Sequence, residues 1–318
     1  MNIAIFLSSE KEASKIVIYP QLPKHTSLSF IFGHMKSIPE LVELLTLEQL
    51  DDNLFRGQNY QTPWGRVFGG QVLAQSIHAA RRTVPEERII HSMHGYFILG
   101  GDPNQPIIYD VDRIRDGRSF TTRRVVAIQK GRAIFNMSAS FQIEEKGFNH
   151  QILMPQIPSP DEVLPDAEWI LKFKKEKPEM VKRYLVQKPI EFRSVEKFDP
   201  VHPKKENPYR HIWLKADDQV PNDPNIHREI LAYFSDYNLM GTSLLPHRDR
   251  FKREKMQMAS LDHAMYFHHD FKVDDWLLYA LDSPSASNAR GFSRGSFFNQ
   301  EGVLVASTIQ EGLIRKRS

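Results

Sequence analysis

The chain contains no cysteine. Disulfides, thiolate metal sites and a cysteine nucleophile are therefore excluded. A chain without disulfides suits a reducing compartment, and cytoplasm is the expected location. A large charge of one sign is also missing: the formal net charge is only +3 over 318 residues. That is far from the basic stripe of a nucleic-acid-binding protein, so no nucleic-acid partner is expected. No apolar run approaches the roughly 18 residues of a membrane-spanning helix, and no membrane association is expected. The apolar stretch 3–7 is too short for a secretory signal and has no basic residue before it. The sequence has neither a glycine-rich dinucleotide fingerprint nor a phosphate loop, and no cofactor is expected. His263, His268, His269 and Asp270 lie close in sequence. Adjacent histidines on a strand point to opposite faces, and no HExxH spacing exists, so no metal site is expected.

With 41% hydrophobic and 25% charged residues the chain has the composition of a folded globular protein, long enough for two domains. Residues 1–34 carry Pro20 and Pro23 and no sustained period, and read as an N-terminal extension. Ser37 as N-cap, Pro39 in the first turn and Leu41, Leu44 and Leu45 predict a short helix. A second helix follows Gly69-Gly70 over 71–82, with Val72, Leu73, Ser76, Ile77 and Ala80 at helical spacing. Strands are predicted at 107–111, 120–129 and 133–142, the last two joined by a tight turn at Lys130-Gly131-Arg132. Four prolines between 154 and 166 mark a linker. The basic stretch 172–188 continues it as a solvated connecting helix. A helix capped by Asp223-Pro224 and running to about 240 then precedes strands at 256–267, 277–281, 291–298 and 303–310. The order helix, strands, hairpin ending in Gln (Gln142, Gln310) thus occurs twice, which predicts an α+β structural repeat. The division is an N-terminal domain at 35–150, a linker at 151–190 and a C-terminal domain at 191–318.

Gly291-Phe292-Ser293-Arg294-Gly295 matches the nucleophile-elbow pattern of serine hydrolases. That motif needs a strand before the Ser, a helix after it, and Asp/Glu and His later in the chain. Here strand-like residues follow, the last histidine is His269, and no Asp lies beyond Asp282, so the pattern is a decoy. Asp236 is a carboxylate among apolar helical neighbours. It is either satisfied structurally or functional, since burying it otherwise is costly. Strand alternation groups Ser260 with Met256, Met258, Asp262 and Ala264, and Gln310 with Leu304, Ala306 and Thr308. Taken singly, Ser260 and Gln310 read as ordinary polar groups satisfied at a strand edge.

A resemblance joins these residues. Phe55-Arg56-Gly57-Gln58, Val67-Phe68-Gly69-Gly70-Gln71, His91-Ser92-Met93-His94-Gly95-Tyr96-Phe97 and Gly101-Asp102-Pro103 resemble the acyl-CoA thioesterase II (TesB-type) family, bacterial branch. So do the block from Ser260 to His268, Ser285-Ala286-Ser287-Asn288-Ala289-Arg290-Gly291 and the block from Val305 to Gly312. The match covers about residues 38–316, in order. It implies a double hotdog, two halves each with a long helix wrapped by an antiparallel sheet. It implies hydrolysis of acyl-CoA to free fatty acid and coenzyme A, and assembly as a homodimer or homotetramer. The family's catalytic Asp, Ser/Thr and Gln fall on Asp236, Ser260 and Gln310; many bacterial relatives carry Thr at the middle position, and Ser260 keeps the hydroxyl.

In that setting Asp236 is the expected base for a water that attacks the thioester directly, oriented by Ser260 and Gln310. Amides of Gly69, Gly70 and Gln71 at a helix start could hold the oxyanion, or the glycines could only permit close packing. His91 and His94 are rival bases or core supports. Two other readings are a non-catalytic acyl-CoA-binding hotdog protein and a hotdog hydratase or dehydratase. The latter needs a His/carboxylate pair at a helix start, where the second half offers His227 and Glu229.

Overall fold

The computed structural model describes residues 35–62, 65–251 and 255–317. The extension expected at 1–34 lies outside them. The first half contains α1 (Ile38–Leu45), β1 (Glu48–Asp51), β2 (Leu54–Gly57), α2 (Gly69–Arg81), β3 (Ile89–Phe97), β4 (Ile107–Asp116), β5 (Phe120–Gln129) and β6 (Arg132–Gln142). Short helices α3 (Asp166–Leu171) and α4 (Pro178–Tyr184) follow. The second half contains β7 (Ile190–Ser194), β8 (Tyr209–Ala216), α5 (Pro224–Ser235), α6 (Leu239–Thr242), β9 (Met256–Ser260), β10 (Asp262–Phe267), β11 (Leu277–Ser287), β12 (Arg290–Phe298) and β13 (Leu304–Lys316).

The strands form one antiparallel sheet in the order β1-β2-β4-β5-β6-β3-β10-β13-β12-β11-β8-β7, with β9 also paired to β13. Read outward from the β3–β10 junction, the two halves run β3-β6-β5-β4-β2 and β10-β13-β12-β11-β8. The repeat expected from element order is therefore a repeat of topology, and the architecture is an α+β double hotdog. The hairpin predicted at Lys130-Gly131 is present, with φ of 50° and 70° at those residues, the left-handed pair of a type I′ turn.

Helices α2 and α5 pack on each other inside the sheet and are buried on nearly every face. Their polar side chains therefore need internal partners. Gln75 Nε2 donates to the Leu44 carbonyl at 2.7 Å, and Tyr109 Oη donates to Gln75 Oε1 at 2.6 Å. Between the helices, Glu229 of α5 accepts from Arg81 Nε at 2.8 Å and lies 3.1 Å from His78 Nδ1. Helix starts follow their sequence signals. Ser37 Oγ accepts from the Glu40 amide at 3.4 Å, and Asp223 Oδ1 accepts from the Asn225 amide at 2.8 Å.

The segment between the halves does more than connect. Met154, Ile157 and Val163 pack with Trp213, Leu278 and Phe298 in a second apolar cluster, on the outer face of the second half's sheet. Within the stretch expected to be solvated, Lys188 is instead largely enclosed, with its ammonium 6.0 Å from the centre of the Tyr237 ring.

Two expected elements end early. The helix predicted to reach about 240 stops at Ser235, because Asn238 adopts a left-handed φ of 66° and turns the chain into α6. The strand predicted at 256–267 is interrupted at Leu261, where β9 gives way to β10.

Candidate active site

The early end of α5 places Asp236 at its C-cap rather than in mid-helix. From there the carboxylate meets the first turn of α2. The Gly70 amide donates to Asp236 Oδ2 at 3.0 Å. This approach requires glycine at two positions. A Cβ on Gly69 would sit 2.6 Å from Asp236 Oδ2, and one on Gly70 would collide with the Tyr233 carbonyl.

Ser260, at the end of β9, directs its hydroxyl to Asp236 Oδ1 over 3.5 Å. Gln310 of β13 donates from Nε2 to Ser260 Oγ at 2.6 Å, and its side chain is near enough to the carboxylate to lower the carboxyl pKa. The three residues predicted from resemblance thus converge, brought together by the end of a helix and two neighbouring strands. Simple alternation groups Ser260 with Asp262. The interruption at Leu261 changes that phase, so Ser260 and His263 both face the helices.

Asp236 keeps part of its surface open, yet burial of the carboxyl pushes its pKa from 3.8 to about 7, against the lowering effect of its bonds to Gly70, Gln310 and Ser260. The neighbouring phenols of Tyr60, Tyr233, Tyr237 and Tyr279 are all pushed up by burial and stay protonated. Burial pushes His263 down to about 4, which keeps it neutral. Among the groups around the site, Asp236 is the one poised to exchange a proton near neutral pH.

An aromatic wall adjoins it. Phe68 contacts Tyr233 and Tyr237 with ring centres 5.0 and 4.7 Å apart, Phe97 lies beside Gly69, and the Tyr60 and Tyr233 hydroxyls meet at 3.1 Å. Open surface recesses of about 530 Å³ beside His227 and Trp276, and about 570 Å³ beside Phe198 and His202, include none of the three converging residues.

Other expected residues sort differently. The Gly70 amide is committed to Asp236, and the Gln71 amide donates to the Phe68 carbonyl at 3.2 Å. The Gln71 side chain turns inward to Asn59 and Gln75. The Gly69 amide, at the first position of α2, has no acceptor among the described residues. His91 and His94 lie on the outer face of the sheet: His91 Nε2 is 2.8 Å from Ser140 Oγ, and His94 is exposed against Tyr266. Neither reaches Asp236 across the sheet, so the rival-base reading fails on geometry. His227 and Glu229 do not form a pair. His227 Nδ1 accepts from the Val273 amide at 3.2 Å, while Glu229 faces α2. Ser293 of the decoy pattern sits within β12, opposite Gln310, with no helix after it. Among the described residues no group of three His, Asp or Glu is placed to hold a metal ion. No helix among them is long and apolar enough to cross a membrane.

The sequence offers His263 only as a metal-ligand candidate, not as a neighbour of Gln310; it is fully enclosed with Nδ1 at 3.0 Å from Gln310 Oε1 and Nε2 at 3.0 Å from Ser235 Oγ. The available signal was its three-residue separation from Ser260, which becomes same-faced once the strand is interrupted.

Comparisons with known proteins bear on the chain as a whole. The family model described as Acyl-CoA thioesterase matches residues 186–313, and that described as Acyl-CoA thioesterase N-terminal domain matches residues 60–142. The chain is 40% identical over 276 residues to acyl-CoA thioesterase 2 of Haemophilus influenzae, covering 86% of this chain and 96% of that protein. It is 38% identical to human acyl-coenzyme A thioesterase 8 over 89% of this chain and 91% of the human protein. Among solved structures, the acyl-CoA thioesterase II TesB2 of Mycobacterium marinum superposes with a TM-score of 0.73 at 40% identity, over 87% of this chain and 99% of that one.

Proposed function

The chain belongs to the acyl-CoA thioesterase II family, and from that premise we propose that Asp236, Ser260 and Gln310 are its catalytic residues. It hydrolyses acyl-CoA to the free acid and coenzyme A. The observation that carries the site assignment is one carboxylate, with its pKa raised to about 7, bonded to the Gly70 amide, Ser260 and Gln310 from separate elements.

Ionised Asp236 takes a proton from a water as the water oxygen attacks the thioester carbonyl carbon. Ser260 and Gln310 orient that water, and the Gly69 amide, which has no other acceptor among the described residues, takes the carbonyl oxygen as it gains charge. When the tetrahedral intermediate collapses, the carbon–sulfur bond breaks and Asp236 returns the proton to the departing thiolate. No acyl-enzyme forms, because Ser260 receives a hydrogen bond from Gln310 and, among the described residues, has no basic imidazole beside it. The acyl chain lies along the Phe68, Phe97 and Tyr237 rings. Exposed Tyr96 and Tyr266, on the outer face of the adjoining central strands, favour assembly as a homodimer or homotetramer. The absence of cysteine suits a cytoplasmic location.

Thiol release from a panel of acyl-CoAs tests the assignment. Asp236→Asn should lose about 10²-fold or more in kcat, as for removal of a general base, with its circular dichroism unchanged. Near-normal turnover by a folded Asp236→Asn protein would remove Asp236 from the mechanism.

A further inference from the structure

Gln310 contributes an amide, and an amide has two ends of opposite character. With Nε2 toward Ser260 and Asp236 it donates to a hydroxyl and a carboxylate. Turned over, it would present its oxygen to that carboxylate, acceptor against acceptor. Catalysis as assigned above needs the first orientation, and nothing in the amide's own shape selects it.

Among the described residues, the far end of the amide touches one polar side chain, His263, with Nδ1 at 3.0 Å from Gln310 Oε1. His263 is 1% exposed and neutral, so it carries a single proton on one nitrogen or the other. A proton on Nδ1 donates to Gln310 Oε1 and holds Nε2 toward the site. A proton on Nε2 leaves a lone pair facing Gln310 and favours the reversed amide. The other nitrogen faces Ser235 Oγ at 3.0 Å, and that hydroxyl has a competing acceptor in the Ala232 carbonyl at 2.8 Å. Ser235 can therefore satisfy either tautomer, and the tautomer is set by the Gln310 side. The carboxylate of Asp236, the residue after Ser235, requires a donor there.

We infer that His263 is a positioning residue that carries its proton on Nδ1 and thereby holds the Gln310 amide with its NH₂ group toward Ser260 and Asp236. The inference rests on the site assignment above. It explains why a histidine is enclosed at 3.0 Å from both Gln310 and Ser235. The charged and titratable groups around His263 and the carboxylate it acts on are Asp236 at the end of α5, the phenols of Tyr60, Tyr233 and Tyr237 beside Asp236, and the phenol of Tyr279 on β11, which donates to the Ser235 carbonyl at 3.0 Å. On the β3 side its register partner is Gly95, which brings no side chain; on the β13 side it meets Gln310.

Four measurements on the intact chain decide it. His263→Leu, which keeps the bulk and removes the donor, should lower kcat about tenfold or more with KM changed less than about threefold, as for a misplaced catalytic group. It should also move the acid limb of the kcat/KM–pH profile to higher pH, because Asp236 loses a donor that lowers its pKa. His263→Asn, with an amide N–H near the Nδ1 position, should recover most of the rate. In a Gln310→Leu background, adding His263→Leu should cost little more, since the two act through one group. Nitrogen-15 spectra of histidine-labelled wild type should show protonated Nδ1 for the resonances missing in His263→Asn.

A wild-type profile in His263→Leu, or a full multiplicative loss in the double variant, would overturn the inference. So would a wild-type imidazole protonated on Nε2, a result that stands even if the leucine variant does not fold. Those results would leave the role of Asp236 untouched; only an active Asp236→Asn protein would remove that premise.

Discussion

Replacing Asp236 with asparagine should stabilise the fold while it cuts kcat about 10²-fold or more. The carboxyl pKa of about 7, against 3.8 when unperturbed, means that ionising Asp236 costs the folded chain ~4 kcal/mol more than the unfolded chain. The residue keeps some open surface, and solvent screening reduces that to ~2–3 kcal/mol. The asparagine side chain can still accept from the Gly70 amide and can donate to Ser260, so few hydrogen bonds are lost. Below pH 4 both folded and unfolded chains carry the protonated acid and no difference exists. Between pH 4 and pH 7 the raised pKa makes wild type lose stability relative to the variant as pH rises. Above pH 7 the gap is constant. For a chain of this size each kcal/mol moves Tm by about 2 °C, so calorimetry at pH 8 should find Asp236→Asn melting ~4–6 °C higher, with a much smaller gap at pH 5. A variant that melts at or below the wild-type temperature at pH 8 would refute the reasoning, because the carboxylate would then be a structural anchor.

Three other outcomes follow from the same geometry. The wild-type kcat/KM should rise with pH through an apparent pKa of about 7, since the base must be ionised to act; a flat profile between pH 5 and pH 8 would contradict this. Gly69→Ala should cut kcat by about tenfold or more, because its Cβ would lie 2.6 Å from Asp236 Oδ2 and displace the carboxylate; steady-state thiol release reads this directly. Glu229→Ala should destabilise by ~3–5 kcal/mol in urea unfolding, because it strips Arg81 and His78 of their enclosed partner between α2 and α5.

Much of this architecture is legible in the sequence where periodicity and capping act locally. Ser37, Asp223-Pro224 and Lys130-Gly131 each specify their element through a side-chain cap, a fixed φ or a left-handed turn. Strand β5, and β6 from Phe135 onward, alternate cleanly because one face meets the helices and the other does not. Strand β1 gives no signal because it is a short edge with all four residues exposed. Strand β8 gives none because the intervening segment covers its outer face and buries Trp213 as well as Ile212 and Leu214, erasing the alternation.

The site is legible in part. Asp236 stands out as a carboxylate among apolar neighbours, but the helix end that aims it depends on Asn238, whose left-handed turn the helical pattern conceals. Ser260 and Gln310 were visible only through resemblance, because a hydroxyl and an amide on strands look like any satisfied polar group. The interruption at Leu261, which brings His263 beside Gln310, leaves no local mark, since it arises from β9 and β10 sharing β13 as a partner. His91 and His94 qualify as bases by residue type alone, and their place on the sheet's outer face keeps them from Asp236.

The central claim is that water attacks the thioester without a covalent stop on the enzyme. A rapid-quench experiment over the first turnover, following free thiol, free acid and the intact mass of the protein, tests it most directly. The account predicts that coenzyme A and acid appear together from the first time point, with no burst and no mass change. A burst of coenzyme A equal to the enzyme concentration, with one acyl group added to the protein at Ser260, would contradict it.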